Sequence, residues 1–178
     1  MELPWTIRDA AVADAADFTR FAREIFLATY GDTYEPARLA RHVRERFGEA
    51  LQRADLADPA RQTLVALDRG GAWSGFAVLR RHAAPPEVAA RAPVELERFY
   101  VGTAWHGQGL ARALMDATVA RAALTGHDAI WLSVWKHNAR ARRFYEKCGF
   151  VAVGEVPFVF GGEAELDTLM VLTIAGAV

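Results

Sequence analysis

The chain has 178 residues, of which 52% are hydrophobic and 24% are charged, and its formal net charge is −1. This length suits one domain with a sizeable core, and the near-neutral charge argues against a general binder of nucleic acids or anionic membranes. Cys148 is the single cysteine, which excludes an internal disulfide and a thiolate-rich zinc site.

The first residues, "MELPWTIRDA", lack the basic and apolar regions of a secretion signal. The apolar stretches are shorter than the roughly 20 residues that span a bilayer. We therefore expect one cytoplasmic domain over residues 1–178 with no membrane partner.

The first half of the chain predicts a strand, helices and a hairpin. "WTIRDA" is typical of a short strand, and apolar residues at helical spacing between Phe18 and Ile25 indicate a helix after Asp14. A second helix is expected to begin near Pro36, and residues 48–59 favour a short third one. "QTLVALD" and "WSGFAVLRRH", separated by the turn "RGG", predict a β-hairpin.

The second half predicts alternating strands and helices. "VELERFYV" indicates a strand, and a helix should run from Leu110 to Gly126 with Leu114 and Leu124 on its apolar side. "AIWLSVW" is typical of a buried central strand, and "NARARRFYEKCGF" of a compact helix capped by Asn138. "FVAVGEV" and "LDTLMVLTI" indicate two last strands. This order predicts an α/β domain with one strand–helix–strand crossover at its centre.

Two glycines, Gly107 and Gly109, precede the helix that starts at Leu110. Unpaired N–H groups in a first helical turn, together with the helix dipole, bind phosphate or pyrophosphate well. Glycines before a helix also occur in plain tight turns, so the spacing alone leaves both interpretations open. A dinucleotide fingerprint would need a glycine where Arg112 stands, and the sequence contains no GxxxxGK[ST] loop.

The segments "LERFYV", "HGQGLA", "WLSVW" and "NARARRFYEKCGF" together resemble the GCN5-related N-acetyltransferases (GNAT), over residues 94–154. The pyrophosphate loop of that family has the pattern Arg or Gln, x, x, Gly, x, Gly or Ala. Here His106 replaces the usual first residue, while the backbone donors are retained. The resemblance implies a single GNAT-type domain with a mixed, mostly antiparallel sheet and helices on both faces.

The resemblance further implies acetyl-CoA as cosubstrate. The histidines His42, His82 and His127 have no metal-binding spacing, so we expect no metal. The resemblance also implies that the backbone of the strand 99–101 pairs with the pantetheine arm, that one N–H there polarises the thioester carbonyl, and that the loop holds the pyrophosphate. The cofactor-binding residues so implied are Phe99, Tyr100, Val101, His106, Gly107, Gln108, Gly109, Leu110, Ala111, Arg112 and Asn138.

Two side chains are candidate catalytic residues. Tyr145 lies on the apolar stripe of its helix, which by itself is compatible with core packing; the family places a tyrosine here that protonates the CoA sulfur. Glu97 stands where polyamine acetyltransferases have a carboxylate that takes the amine proton. Glu95 shares its strand face by alternation and is either its partner or its rival. Without the resemblance, both glutamates are compatible with an ordinary surface role.

The segments "FLATYGDTYEP", "IWLSVWKHN" and "PFVFGGEAELDTLMV" are similar to the bacterial spermidine/spermine acetyltransferases, which implies a polyamine acceptor. The acceptor pocket is expected between the first two helices and the loop joining the last two strands. Acidic residues there would attract a polycation: Glu24, Asp32, Glu35, Glu163 and Glu165.

Other readings of the function stay open. The acceptor can instead be an amino acid, an antibiotic or a protein amine. A non-catalytic acyl-CoA sensor is a further alternative, against which the presence of both Tyr145 and Glu97 argues. We expect no nucleic-acid partner. A homodimer is common in the superfamily, and the sequence leaves the oligomeric state open.

Overall fold

The structure is a computed structural model that describes residues 3–31, 33–160 and 163–174. Its strands are β1 Trp5–Asp9, β2 Arg61–Asp68, β3 Trp73–Arg80, β4 Pro93–Val101, β5 Ala129–Trp135, β6 Val151–Phe160 and β7 Glu163–Thr173. Its α-helices are α1 Ala15–Tyr30, α2 Pro36–Arg46, α3 Glu49–Ala57, α4 Leu110–Leu124 and α5 Ala139–Lys147. These elements follow the predicted order.

The strands form one seven-stranded sheet in the order β1-β2-β3-β4-β5-β7-β6. β4 and β5 are parallel and are joined through α4, whereas the other neighbouring strands are antiparallel. The predicted mixed, mostly antiparallel sheet with a central strand–helix–strand crossover is confirmed. The last strand, β7, inserts between β5 and the edge strand β6.

Helices cover both faces of the sheet, and each face has its own core. Leu110 and Leu114 of α4 pack with Ile130 of β5 on one face, which also carries α5. Phe18 of α1 and Phe76 of β3 belong to the core on the opposite face, which α2 and α3 also cover. We call these the α4 face and the α1 face.

The prediction that Leu124 lies on the buried side of α4 is wrong. Leu124 is 82% exposed, while the buried positions include Leu110, Leu114, Thr118 and Ala122. Residue 124 lies about 200° around the helix axis from residue 122, because each residue advances about 100°. The last leucine of the helix therefore points away from the sheet.

The middle of the sheet is open at one end. β4 and β5 pair over Pro93–Glu95 and Ala129–Trp131, whereas β5 pairs with β7 as far as Trp135. Within the described part of the chain, no strand occupies the space between Leu96–Val101 and residues 132–135. We call this wedge the β4–β5 cleft. A register shift in the pairing of β3 with β4 makes Glu97 an extra residue at the start of the wedge.

Candidate active site

The glycine loop lies between the end of β4 and the start of α4. Gly107 has φ +77° and Gly109 has φ +90°, values that residues other than glycine rarely adopt. A Cβ at Gly107 would meet no atom within 4 Å, and one at Gly109 would lie 3.8 Å from the Trp5 ring. The backbone conformation, rather than crowding, therefore requires glycine at both positions, and the space above the loop is open.

The first turn of α4 offers several free donors. The N–H of Ala113 donates to the carbonyl of Gly109 at 3.0 Å. Among the residues that the structure describes, the N–H groups of Leu110, Ala111 and Arg112 have no acceptor. Three parallel donors at a helix N-terminus form a site for an anion such as a pyrophosphate.

The side chains of the loop hold it in place. Nε2 of His106 lies 3.0 Å from the carbonyl oxygen of Val101, which ties the loop to the end of β4. The guanidinium of Arg112 pairs with Asp116 at 2.8 Å on the surface, and Leu110 is fully buried. The side chain of Gln108 donates to a loop carbonyl. The side chains of the loop are therefore engaged within the protein, and the polar groups that it leaves open are backbone N–H groups.

β4 presents its two faces differently along the cleft. Phe99 and Val101 pack with the core of the α4 face, and Phe99 stacks on Phe144 with ring centroids 5.5 Å apart. Tyr100 packs with the opposite core. Because this stretch pairs with β3 on one side and borders the cleft on the other, its backbone is available to an extended ligand lying along it.

Asn138 begins α5 at the open end of the cleft. Its side-chain oxygen accepts a hydrogen bond from the N–H of Ala141 at 3.0 Å, so the predicted N-cap role is confirmed. Its own N–H donates to the carbonyl of Trp135 at 2.8 Å. This cap fixes α5 against the end of β5 and so places Tyr145, two turns later, beside the cleft.

Tyr145 packs among the rings of Phe150 and Phe144, each with a centroid distance of 5.6 Å. Burial raises the pKa of its phenol, and the nearby Tyr30 raises it further. Tyr145 therefore keeps its proton at neutral pH. A phenol that is protonated and borders the cleft is suited to donate a proton to a leaving group there.

Two further phenols reach the same region, and the sequence did not identify them as a group. Burial raises the pKa of Tyr100, and the nearby phenols of Tyr30 and Tyr145 raise it further. Burial also raises the pKa of Tyr30, whose hydroxyl interacts with Tyr100 and Asn138. The phenols of Tyr30, Tyr100 and Tyr145, contributed by α1, β4 and α5, therefore converge at the cleft.

Glu97 is held by arginines. Its carboxylate oxygens lie 3.1 Å from Nε of Arg61 and 3.2 Å from Nη1 of Arg80. Burial alone would raise the pKa of Glu97, but the hydrogen bond from Arg61 and the surrounding positive charges outweigh it and lower the pKa. A carboxylate stabilised in this way is a weak proton acceptor.

Glu95 has a different partner. Its carboxylate lies 2.7 Å from Nε2 of His82, whose ring packs on Trp131. Burial is the main cause that raises the pKa of Glu95. The two glutamates therefore differ in basicity, although the strand pattern alone made them equivalent.

Two more carboxylates lie on β7, on the side where we expected the acceptor. Glu165 pairs with Arg38 at 2.8 Å. Asp167 is 5% exposed, and its Oδ1 has no hydrogen-bond partner among the described residues. Of the acidic residues expected here, Asp32 and the side chain of Glu163 lie outside the described residues.

A groove of 490 Å³ opens beside Glu165. It is lined by Trp135, Lys136, His137, Pro157, Glu165 and Leu166. A second hollow, of 220 Å³, lies beside Arg61 and His127 and contains none of the predicted site residues. The groove next to β7 adjoins the open end of the cleft at Trp135, the last residue of β5.

The glycine loop with its unpaired donors, the open edge of β4 and the phenol of Tyr145 lie around one cleft. The comparisons with known proteins specify the class of protein. The profile of the Acetyltransferase (GNAT) family matches residues 19–150, and the chain belongs to that family. The expectations of an N-acetyltransferase and of acetyl-CoA as its cosubstrate agree with this assignment.

Known proteins are similar over nearly the whole chain. An uncharacterised N-acetyltransferase of Mycobacterium tuberculosis is 33% identical over 160 residues, which cover 90% of this chain and 97% of the relative. The PaiA N-acetyltransferase of Thermoplasma acidophilum, solved in complex with coenzyme A, superimposes with a TM-score of 0.77 at 19% identity. That match covers 96% of this chain and 99% of the other, and it shows a shared fold.

One relative with a named substrate matches over a shorter stretch. The spermine/spermidine N(1)-acetyltransferase of Bacillus subtilis is 33% identical over 66 residues, which cover 36% of this chain and 43% of the relative.

The described residues lack two features. In residues 3–31, 33–160 and 163–174, no helix has both the length and the apolar composition of a membrane span. The same ranges contain no group of three or more His, Cys, Asp or Glu residues placed to hold a metal ion.

Proposed function

We propose that this protein transfers the acetyl group of acetyl-CoA to a primary amine, and that the amine is a polyamine such as spermidine or spermine. The observation that carries the transferase part is the loop of Gly107 and Gly109. Its unpaired helix donors lie at the end of a strand whose edge borders an open cleft.

The donor would be held mainly by backbone groups. The N–H groups of the loop and of the first turn of α4 would bind the pyrophosphate. The edge of β4 over Phe99–Val101 would pair with the pantetheine arm, with Asn138 at its other side. A backbone N–H of that edge would stabilise the oxyanion that forms on the thioester carbonyl.

Tyr145 would act as the general acid. When the C–S bond of the tetrahedral intermediate breaks, the sulfur leaves as a thiolate, and the phenol proton neutralises it. The raised pKa of Tyr145 keeps this proton available throughout the neutral range.

The amine must lose a proton before it attacks, because alkyl ammonium ions have no free electron pair. Glu97, with Glu95 as its rival, is the acceptor that the sequence predicts, and this role stays a prediction. The arginine contacts of Glu97 favour a structural role, whereas the raised pKa of Glu95 makes it the stronger base of the two.

Two observations support a polyamine as the acceptor. The acceptor side carries the β7 carboxylates Glu165 and Asp167, which favour a cation, and aromatic rings from α1 and β5 lie beside them. The partial similarity to the Bacillus subtilis spermine/spermidine N(1)-acetyltransferase points to the same class of substrate.

The test is an amine panel with thiol release as the readout. Spermidine and spermine, amino acids, an aminoglycoside and a peptide with a free N-terminus would each be supplied with acetyl-CoA. We expect the highest kcat/KM with the polyamines. Turnover of another amine class with inert polyamines would overturn the acceptor assignment, and acetyl-CoA binding without any thiol release would indicate a sensor.

A further inference from the structure

Asp167 differs from its acidic neighbours because one of its oxygens is unused. The residue is 5% exposed, and its Oδ1 is buried with no hydrogen-bond partner in the described part of the chain. A buried carboxylate oxygen that receives no hydrogen bond is destabilising, so it needs a partner from outside the chain, such as a water molecule, an ion or a ligand. By contrast, Glu165 is paired with Arg38, and Glu97 with Arg61 and Arg80.

The position of Asp167 places it on the acceptor side of the cleft. It lies opposite Trp135 in the β5–β7 register, and Glu165, two residues earlier on β7, lines the open groove. Its charge contributes to the raised pKa of both Tyr30 and Tyr34, after burial as the main cause. Asp167 therefore lies near the phenols of Tyr30 and Tyr34, and Tyr30 in turn lies near Tyr145.

Aromatic rings surround this position. Tyr30 and Tyr34 have centroids 5.9 Å apart, and Tyr34 lies 6.0 Å from Trp135. Ring faces attract alkyl ammonium ions, and a buried carboxylate among rings binds such an ion more strongly than it would in water. A neutral alcohol of the same shape would gain neither interaction.

On this basis, and resting on the proposed acetyl transfer, we propose that Asp167 binds the ammonium group of the acceptor through its unpaired oxygen and takes one proton from it. The free amine then attacks the thioester carbonyl, the N–C bond forms and the C–S bond breaks. The second amine proton replaces the one that Tyr145 gives to the sulfur. The proton on Asp167 leaves to solvent, so each acetylated ammonium releases one proton.

Burial and the charge of Glu165 raise the pKa of Asp167, while the Ser133 hydroxyl opposes this change. The other charged or titratable groups on the surrounding elements are Tyr30 of α1, Tyr34 and Arg38 near the start of α2, and Lys136 and His137 after β5. Arg38 is engaged with Glu165. A carboxylate of raised pKa is a better proton acceptor than Glu97, whose pKa is lowered.

The test compares Asp167→Asn with Glu155→Gln, which removes an exposed carboxylate from the neighbouring strand β6 and leaves the lining of the groove unchanged. Titration calorimetry on the protein saturated with coenzyme A would measure the binding of spermidine and n-butylamine, with n-butanol as the uncharged control. We expect Asp167→Asn to weaken the binding of both amines about 10- to 100-fold, the usual effect of losing a hydrogen bond to a charged group. Glu155→Gln should change the affinity for either amine by less than about threefold. Equal amine affinity in wild type and Asp167→Asn would overturn the proposal.

The pH profile separates proton transfer from a structural role. In the wild type, kcat/KM should level off above the pKa of Asp167. In Asp167→Asn it should rise about tenfold per pH unit towards the pKa of the amine, because only free amine then reacts. A variant profile parallel to that of the wild type would refute the base role. If amines bind as expected but no thiol is released, the proposed function fails and the binding assignment stands.

The variant should fold, because it removes a buried charge. We expect the Tm of Asp167→Asn, without ligands, to equal or exceed that of the wild type. Asp167→Ser, which also lacks the charge, provides the same comparison if the amide variant does not fold.

Discussion

Removal of the Tyr145 hydroxyl should separate chemistry from stability. In the described part of the chain this hydroxyl makes no hydrogen bond, while the ring packs between Phe144 and Phe150. Tyr145→Phe keeps the ring and loses only the proton donor. We therefore expect the free energy of unfolding to change by less than about 1 kcal/mol, which is a few degrees in Tm at this chain length.

The expected effect on turnover is much larger. General acids contribute about 10²- to 10⁴-fold to rates, and a thiolate leaves slowly without help. We expect kcat to fall about 10²-fold, equivalent to about 2.7 kcal/mol of transition-state stabilisation. The affinity for acetyl-CoA should stay the same, because the residues assigned to the pyrophosphate and to the pantetheine arm are unchanged.

The assay is thiol release at saturating acetyl-CoA and amine, together with the Tm of the free protein. Phe144→Leu is the matched control, since it removes the ring that stacks on Phe99 and leaves the phenol in place. Phe144→Leu should lower the Tm and keep kcat within a few-fold of the wild-type value. A Tyr145→Phe protein with wild-type kcat would assign Tyr145 to packing alone.

Further outcomes follow from other residues. Acetyl-CoA at 100 times its Kd should stabilise the wild type by about 2.7 kcal/mol and so raise its Tm. Gly109→Asp should lose this rise in Tm, because the new carboxylate repels the pyrophosphate. Gly71→Asp is the control, since Gly71 has a similar positive φ but lies in the β2–β3 turn, and this variant should keep the rise. Glu97→Gln should lower stability by about 1–2 kcal/mol at pH 7, and the difference should vanish in denaturation curves as pH falls through the lowered pKa of Glu97, because its ion pairs need the carboxylate. If its rate loss deepens at low pH, the predicted base role gains support. Phe18→Ala, at a fully buried position, should lower the free energy of unfolding by about 3–5 kcal/mol in urea, against about 0.5 kcal/mol for the exposed Phe158→Ala.

Local patterns in the sequence were sufficient for the loop and for the cap of α5. The glycines before Leu110 and the position of Asn138 are local signals, because the backbone conformation of one turn depends on a few neighbouring residues. The donors of the loop and the N-cap are found where these signals predict them. The element order was likewise predictable from hydrophobic periodicity.

The acceptor side was less accessible to sequence analysis because it depends on strand order. β7 lies between β5 and β6, and only this insertion brings Asp167 opposite Trp135 and close to Tyr30. The available signal was a carboxylate within the apolar run "LDTLMVLTI", where a charge is unexpected unless it has a function. The arginine partners of Glu97 come from β2 and β3, which are distant in the sequence, so the lowered pKa of Glu97 could not be predicted from the sequence either.

The short pairing between β4 and β5 limits how firmly the two parts of the sheet are joined. Three residue pairs between β4 and β5 join strands β1–β4 to strands β5, β7 and β6, so the two parts of the sheet share little backbone hydrogen bonding. An acetyl-CoA molecule lying along Phe99–Val101 would fill the gap between β4 and β5 and so stabilise both parts of the sheet. Amide hydrogen exchange should therefore slow in β5 and β7 as well as in the loop when acetyl-CoA binds. An amine that binds before acetyl-CoA would bind to a pocket that lacks this stabilisation. This favours an ordered reaction in which acetyl-CoA binds before the amine.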